Sequence, residues 1–173
     1  RGKTLASSRG AAIAAGSAPG GGLYVAESPA AFSSGHFADC ATLSEVGARL
    51  LAPFFFGDAL AGSLGEICAE AFDFPTPLKP LAATDTFILE LFHGPTAAFK
   101  DVGARFLAAC MKRLRAHESK PLTILVANSG DTGAAVAAAF HGLPGLRVVI
   151  LYPDGRVSPR QAHQLGCFGD NVR

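Results

Sequence analysis

Several signals are missing from this sequence, and each absence narrows its chemistry. Charge of one sign is not in excess: 15 Lys+Arg stand against 14 Asp+Glu, a net of +1. That balance excludes a strongly basic nucleic-acid footprint over the whole chain. The four cysteines, at positions 40, 68, 110 and 167, contain no CxxC pair. No Cys/His cluster has zinc-ligand spacing, so no metal site is expected and the cysteines read as reduced, buried thiols. Long hydrophobic runs are absent as well. The most apolar stretch, 50–62, is short and carries Pro53 and Asp58, so no membrane span is expected. The basic start, Arg1-Gly2-Lys3, lacks the apolar stretch that a secretory signal requires. A cytoplasmic protein is the expectation. The first residue is not Met, which suggests a chain cut from, or begun inside, a longer reading frame. There is no internal repeat and no low-complexity tail. What is present suits a folded domain: 49% hydrophobic and 17% charged residues over 173 positions, enough for one ordinary domain or one and a part.

The chain divides by pattern. Residues 1–36 are rich in Ala, Gly and Ser and predict an irregular, partly exposed lead-in, with Leu23-Tyr24-Val25 as a short strand-like run. Residues 42–72 predict helix. Thr42-Leu43-Ser44-Glu45 forms a capping box, and Ser63-Leu64-Gly65-Glu66 repeats its spacing. The proline-rich run from Phe74 to Pro80 cannot continue a helix. It marks an expected boundary between a small helical domain, 1–80, and a second domain, 81–173. From about residue 85 strands and helices alternate. The segments 87–91, 122–126 and 146–151 read as strands, the last two of the buried parallel kind. The segments 101–116, 132–141 and a short stretch after Ser158-Pro159 read as helices. Together they predict an α/β fold: part of a doubly wound parallel sheet with right-handed crossovers, with a further strand due near Arg173.

Ligands of such sheets collect at the carboxyl ends of the strands. Two segments fall there. In the first, Phe92-His93-Gly94-Pro95-Thr96-Ala97-Ala98-Phe99-Lys100-Asp101, the turn places Lys100 at a helix N-terminus. The macrodipole disfavours a cation at that end. The same field, with apolar neighbours, favours the neutral amine that attacks an aldehyde. A lysine that simply reaches water or pairs with Asp101 also fits the spacing. The second segment, Asn128-Ser129-Gly130-Asp131-Thr132-Gly133, is another strand-to-helix turn, suited to an anion at its backbone N–H groups or to an ordinary N-cap. A third, Pro153-Asp154-Gly155-Arg156-Val157-Ser158, sets Arg156 and Ser158 beside a helix start, where they could hold an anion or form a plain surface turn. His93, His141 and His163 have no carboxylate or cysteine at ligand spacing, and His141 reads as a partner of a helix C-terminal dipole.

These residues resemble a known family. Leu89-Glu90-Leu91-Phe92-His93-Gly94-Pro95-Thr96 with Ala98-Phe99-Lys100-Asp101 resembles the pyridoxal-phosphate lysine motif of the threonine synthases. Ser129-Gly130-Asp131-Thr132-Gly133-Ala134-Ala135-Val136 resembles the family's second motif. Val149-Ile150-Leu151-Tyr152-Pro153-Asp154-Gly155-Arg156-Val157-Ser158, with Gln161, resembles its third. Ser8-Arg9-Gly10 and Gly21-Gly22-Leu23-Tyr24-Val25 resemble the start of its N-terminal domain, with Gly20 where an acidic residue is usual and Ala26 in place of a common proline. The resemblance implies a tryptophan-synthase-β-like, fold-type-II enzyme with pyridoxal 5'-phosphate as cofactor. It implies the conversion of O-phospho-L-homoserine and water to L-threonine and phosphate. Lys100 would be the catalytic Schiff-base residue, with Asp131 near the cofactor ring hydroxyl. Ser129, Gly130, Thr132 and Gly133 would hold the substrate carboxylate, with Thr96, Asp101, Arg156 and Ser158 as neighbours. The family's glycine loop for the cofactor phosphate and its hydroxyl residue facing the pyridine nitrogen come later than residue 173. The chain alone is therefore expected to be inactive. Another fold-type-II lyase, a dehydratase or phospholyase, fits the same spacing. A non-catalytic phosphate-binding α/β module is the reading from a different class, although GxGxxG and GxxxxGK[ST] are both absent.

Overall fold

The computed structural model describes residues 8–82, 85–127 and 130–173. The lead-in is not irregular throughout. Arg9–Ala15 forms a short helix, α1, capped by Ser8, whose Oγ accepts from Ala11 N at 3.2 Å. A long-range contact holds it: Gly10 N donates to Asp58 Oδ2 at 2.8 Å. Local periodicity could not reveal that bond. Leu23 and Val25 are exposed and form no strand.

The region expected to be helical contains α2 (Leu43–Phe55) and α3 (Leu64–Ala71). The box at Thr42 forms as its spacing predicts. Thr42 Oγ1 accepts from Glu45 N, and Glu45 Oε2 accepts from Ala41 N and Thr42 N. The repeat at Ser63 does not. Ser63 ends a 3-10 turn, with φ −106° and ψ 3°. A capping side chain needs an extended backbone to reach the helix N–H groups, and Ser63 lacks one.

Asp58 joins these pieces. It is buried, and its second oxygen accepts from Leu60 N at 2.9 Å. Burial pushes its carboxyl up, but the hydrogen bonds from Gly10 and Leu60 outweigh burial and hold it below the ordinary value. A depressed folded value stabilises above the unfolded one, near pH 4, and that stability is lost as pH falls through the folded value. Asp58→Asn puts an amide donor against a backbone N–H. We expect it to cost about 1–3 kcal/mol at neutral pH, with the gap to wild type closing below about pH 4. Urea melts of both proteins across that range check this. A gap that stays constant in acid contradicts it.

α4 (Lys100–Leu114) lies between two apolar cores. Ala109 and Cys110 pack with Phe55, Leu64 and Ile67 of α2 and α3. Ala108 and Met111 pack with α5 (Asp131–Phe140) and with Val148 of a parallel sheet. Arg105 reaches across to α3, donating to the carbonyls of Ala71 at 2.8 Å and Glu70 at 2.7 Å. It thereby satisfies the open C-terminal end of α3. Burial pushes the Cys68 and Cys110 thiols up, to about 11 and about 12. Both stay protonated at neutral pH, as buried structural thiols do. Cys167, by contrast, is exposed.

The parallel sheet pairs β3 (Leu122–Ala127) with β4 (Leu146–Leu151), in register from Leu122↔Leu146 to Ala127↔Leu151. Beyond β4, α6 (Pro159–Gly166) leads to Val172, which bridges Val148 in parallel, so the further strand begins where it was expected. Ser158 and Gln161 form the capping box of α6, with Pro159 in its first turn. One strand expectation changes. β2 (Phe87–Leu89) does not join this sheet. It runs antiparallel to β1 (Leu78–Pro80), with Leu81 N donating to Thr86 O and Glu90 N to Pro77 O. Proline keeps 74–80 extended, and the connection is too short for a parallel crossover. Within this chain β3 and β4 are covered on one face. Alternate residues pack under the helices, while Leu125 (64% exposed) and Leu151 (52%) face outward.

Candidate active site

The site is built where α4 and α5 begin. β2 delivers the chain to a turn in which Ala97 N donates to Gly94 O at 3.1 Å. Pro95 presets the second position of that turn. Ala97 then takes a left-handed conformation, φ 55°, which is uncommon for a residue with a side chain. Asp101 closes the structure from the helix side. Its Oδ2 accepts from Thr96 N at 2.9 Å and its Oδ1 from Thr96 Oγ1 at 2.7 Å. Asp101 is 1% exposed. A Cβ on Gly94 would stand 2.5 Å from Asp101 Oδ2, so only glycine fits beside that carboxylate.

Lys100 is the first residue of α4. No side chain caps this helix start, and the lysine side chain is 31% exposed. Its Nζ sits 4.3 Å from the centre of the Phe99 ring and 4.0 Å from Asp131 Oδ2. Asp131 opens α5, so two helix N-termini converge on one amine. Small residues in the core shared by α4 and α5, Ala108, Ala134 and Ala137, permit that approach. The amine is a cation at the positive ends of two helix dipoles, and the Asp131 carboxylate is its counter-ion.

The other predicted residues divide. Gly130 is the N-cap of α5, Thr132 is half-buried in its first turn and Gly133 is buried. Ser129 lies outside the described residues. Asp101 and Thr96 are brought together, but they satisfy each other. Ser158 is occupied with its own helix: Gln161 N donates to its Oγ at 3.3 Å. Arg156 is exposed in the turn after β4, where its N–H donates to Pro153 O at 3.2 Å. His141 ends α5, as expected of a partner of that helix's C-terminal dipole, while His93 differs from expectation. His93 does have a carboxylate partner, Glu90, with Nε2···Oε2 2.7 Å, and His141 meets Asp170 at 3.2 Å while capping α5. The i,i+3 spacing of Glu90 and His93 was visible in the sequence, but it carries meaning only once the loop folds back. Phe99, one of the apolar neighbours that the sequence sets beside Lys100, brings its ring under the amine. Among the described residues no group of three His, Cys, Asp or Glu could hold a metal ion. A groove of about 560 Å³ between the start of α2 and residues 72–77 contains neither Lys100 nor Asp131 in its lining.

An accessible amine at two helix starts is a place for an aldehyde that carries an anionic substituent. The family described as pyridoxal-phosphate dependent enzyme matches residues 70–173, which include Lys100 and Asp131. The chain belongs to that family. Pyridoxal phosphate is the family's cofactor, and the half-buried Lys100, its side chain 31% exposed, has the amine that would fit its aldehyde end. The threonine synthase of Escherichia coli (strain K12) is 47% identical over 125 residues, covering 72% of this chain and 28% of that protein. The threonine synthase of Haemophilus influenzae is 44% identical over 131 residues, covering 76% of this chain and 30% of that protein. The fold agrees with solved fold-type-II structures. A PLP-bound threonine synthase from Brucella melitensis superposes with a TM-score of 0.82 at 37% identity, covering 95% of this chain and 37% of that one. The Escherichia coli threonine synthase gives 0.83 at 39% identity, covering 95% and 38%. The chain thus spans less than a third of the length of these curated relatives.

Proposed function

We propose that the protein to which this chain belongs is a threonine synthase, converting O-phospho-L-homoserine and water to L-threonine and phosphate. The observation that carries the reading is the Lys100 amine at the head of α4, 4.0 Å from Asp131 at the head of α5. The 47% identity to a threonine synthase across this region supports it. When bound, pyridoxal phosphate supplies an electron sink for carbanion chemistry at the substrate. The remaining tasks fall to the chain. Lys100 holds the cofactor's carbonyl end and moves protons at its Nζ. Asp131 orients that amine, and the resemblance would set it near the cofactor ring hydroxyl. Ser129, Gly130, Thr132 and Gly133 receive the substrate carboxylate, the last three at the N-terminus of α5. Arg156 offers an exposed cation to the substrate phosphate. Residues 1–80 serve as the N-terminal domain, and 81–173 begin the catalytic domain. The free thiols, two of them buried, suit a reducing compartment, so we place the enzyme in the cytoplasm.

Product analysis tests the reaction. The full-length protein, loaded with cofactor and given O-phosphohomoserine, is expected to release phosphate and threonine in equal amounts. Phosphate with 2-oxobutanoate, and no threonine, identifies an eliminating lyase instead and overturns the proposal.

A further inference from the structure

Asp101 is the most deeply buried charged group among the described residues, and it lies next to the lysine that does the chemistry. The resemblance placed it, with Thr96, beside the substrate. Its geometry argues for a different task. Both carboxylate oxygens are taken by Thr96, at 2.9 Å from N and 2.7 Å from Oγ1, and 1% exposure leaves no path for a ligand. Between the bonded partners lies Ala97, held at φ 55°. A residue with a Cβ keeps that conformation only where its surroundings impose it. Beside the carboxylate, Gly94 allows backbone contact that no other residue permits. After Ala97 the chain passes through Ala98 and Phe99 and turns straight into helix, with Asp101 N donating to Ala98 O at 3.0 Å.

We propose that Asp101 is a positioning residue. Its carboxylate clamps the 94–99 turn through Thr96, holds Ala97 left-handed, and so fixes where the Lys100 amine stands. The proposal rests on the reading of Lys100 as the cofactor lysine. It predicts that the shape of the clamp matters more than its charge. Asparagine can keep both bonds: its carbonyl accepts from Thr96 N, and its amide donates to Thr96 Oγ1, since a hydroxyl accepts as well as donates. Alanine keeps neither.

The test uses the full-length protein and reads two quantities. One is the rate at which added pyridoxal phosphate becomes fixed to the protein on borohydride reduction, with the labelled peptide identified by mass. The other is the division of any loss between kcat and KM. Asp101→Ala is expected to lower kcat and the rate of cofactor capture by about 10²-fold, the scale of a displacement of about 1 Å in a reacting group, with KM little changed. Asp101→Asn is expected to stay within about fivefold of wild type, because both bonds survive. Adding Ala97→Gly to Asp101→Ala is expected to restore roughly tenfold, because glycine is left-handed without a clamp. If Asp101→Ala does not fold, Thr96→Val carries the test by removing the hydroxyl bond alone. An Asp101→Asn protein as impaired as Asp101→Ala overturns the clamp, as does a loss confined to KM. Wild-type capture in Asp101→Ala or Thr96→Val also overturns it. Lys100→Ala, run in parallel, separates the two ideas. If it still carries the reduced label, the reading of Lys100 fails whatever Asp101 does. If its label vanishes while Asp101→Ala captures cofactor normally, only the clamp fails.

Discussion

Replacing Lys100 by alanine in the full-length enzyme is expected to abolish the visible absorbance of bound pyridoxal phosphate. Turnover should fall by roughly 10²–10⁴-fold from the lost proton transfer alone. The same change should leave the fold intact or firmer. Lys100 puts a cation at a helix N-terminus, against the dipole, and its removal there is worth about 0.3–1 kcal/mol in favour of the folded state. Its amine partners among the described residues are an exposed carboxylate at 4.0 Å and the Phe99 ring, and such exposed ion pairs contribute about 0–1 kcal/mol. A lysine that stability does not require, in a position that electrostatics disfavours, is what the proposed role of Lys100 as the cofactor lysine leads us to expect. Lys100→Arg separates charge from chemistry. Guanidinium retains the charge and the pairing with Asp131 but cannot form a Schiff base at neutral pH. Absorbance, kcat and thermal midpoint for the three proteins decide it. A Lys100→Arg enzyme with wild-type turnover, or a Lys100→Ala enzyme that loses activity only by melting early, removes Lys100 from the mechanism.

The parts of this fold that could be read from sequence are those fixed by neighbours. Thr42 and Glu45, or Ser158 and Gln161, meet within one helical turn, so their spacing sets their bonds where the first residue is extended, as Ser63 is not. The placement of Lys100 at a helix start followed from the turn residues before it and the helical pattern after it. What spacing could not show depends on distant or conformational partners. Asp58 reaches α1 across 48 positions. β2 had the composition of any strand, and its pairing with β1 depended on the short connection between them. The closure of Asp101 on Thr96 needs Ala97 in a conformation for which alanine has no preference, so nothing in the letters announced it. The outward faces of β3 and β4 read as buried because Leu125 and Leu151 are apolar. The helices of the described residues cover the other face. Those two leucines keep the composition of a sheet covered on both sides.

Gly94→Ala should be the most damaging small substitution in the site, and Gly103→Ala shows why. Both glycines lie close to Lys100 in sequence, and both changes add one methyl group. At Gly94 the new Cβ would fall 2.5 Å from Asp101 Oδ2, 2.8 Å from its Cβ and 3.0 Å from its Cγ. The obstacle is the root of a side chain, not its flexible end. Asp101 cannot swing aside without breaking both bonds to Thr96, and its backbone is held in the first turn of α4. The turn itself must therefore open. Overpacking of this kind costs about 1–3 kcal/mol, and the lost hydrogen bonds to a charged group add about 1.5–3 kcal/mol. At Gly103, on the exposed side of α4, nothing lies within 4 Å of the added Cβ. There alanine gains the helix preference that glycine lacks, about 0.5–1 kcal/mol. The expected result is a large fall in the unfolding midpoint for Gly94→Ala and a small rise for Gly103→Ala, read from denaturant melts of the two variants beside wild type. Cofactor capture should drop only in the first, because Lys100 moves with the turn that Gly94 shapes. Equal midpoints for the two variants would mean that Asp101 has room to yield, and that the head of α4 is not the tight seat its distances describe.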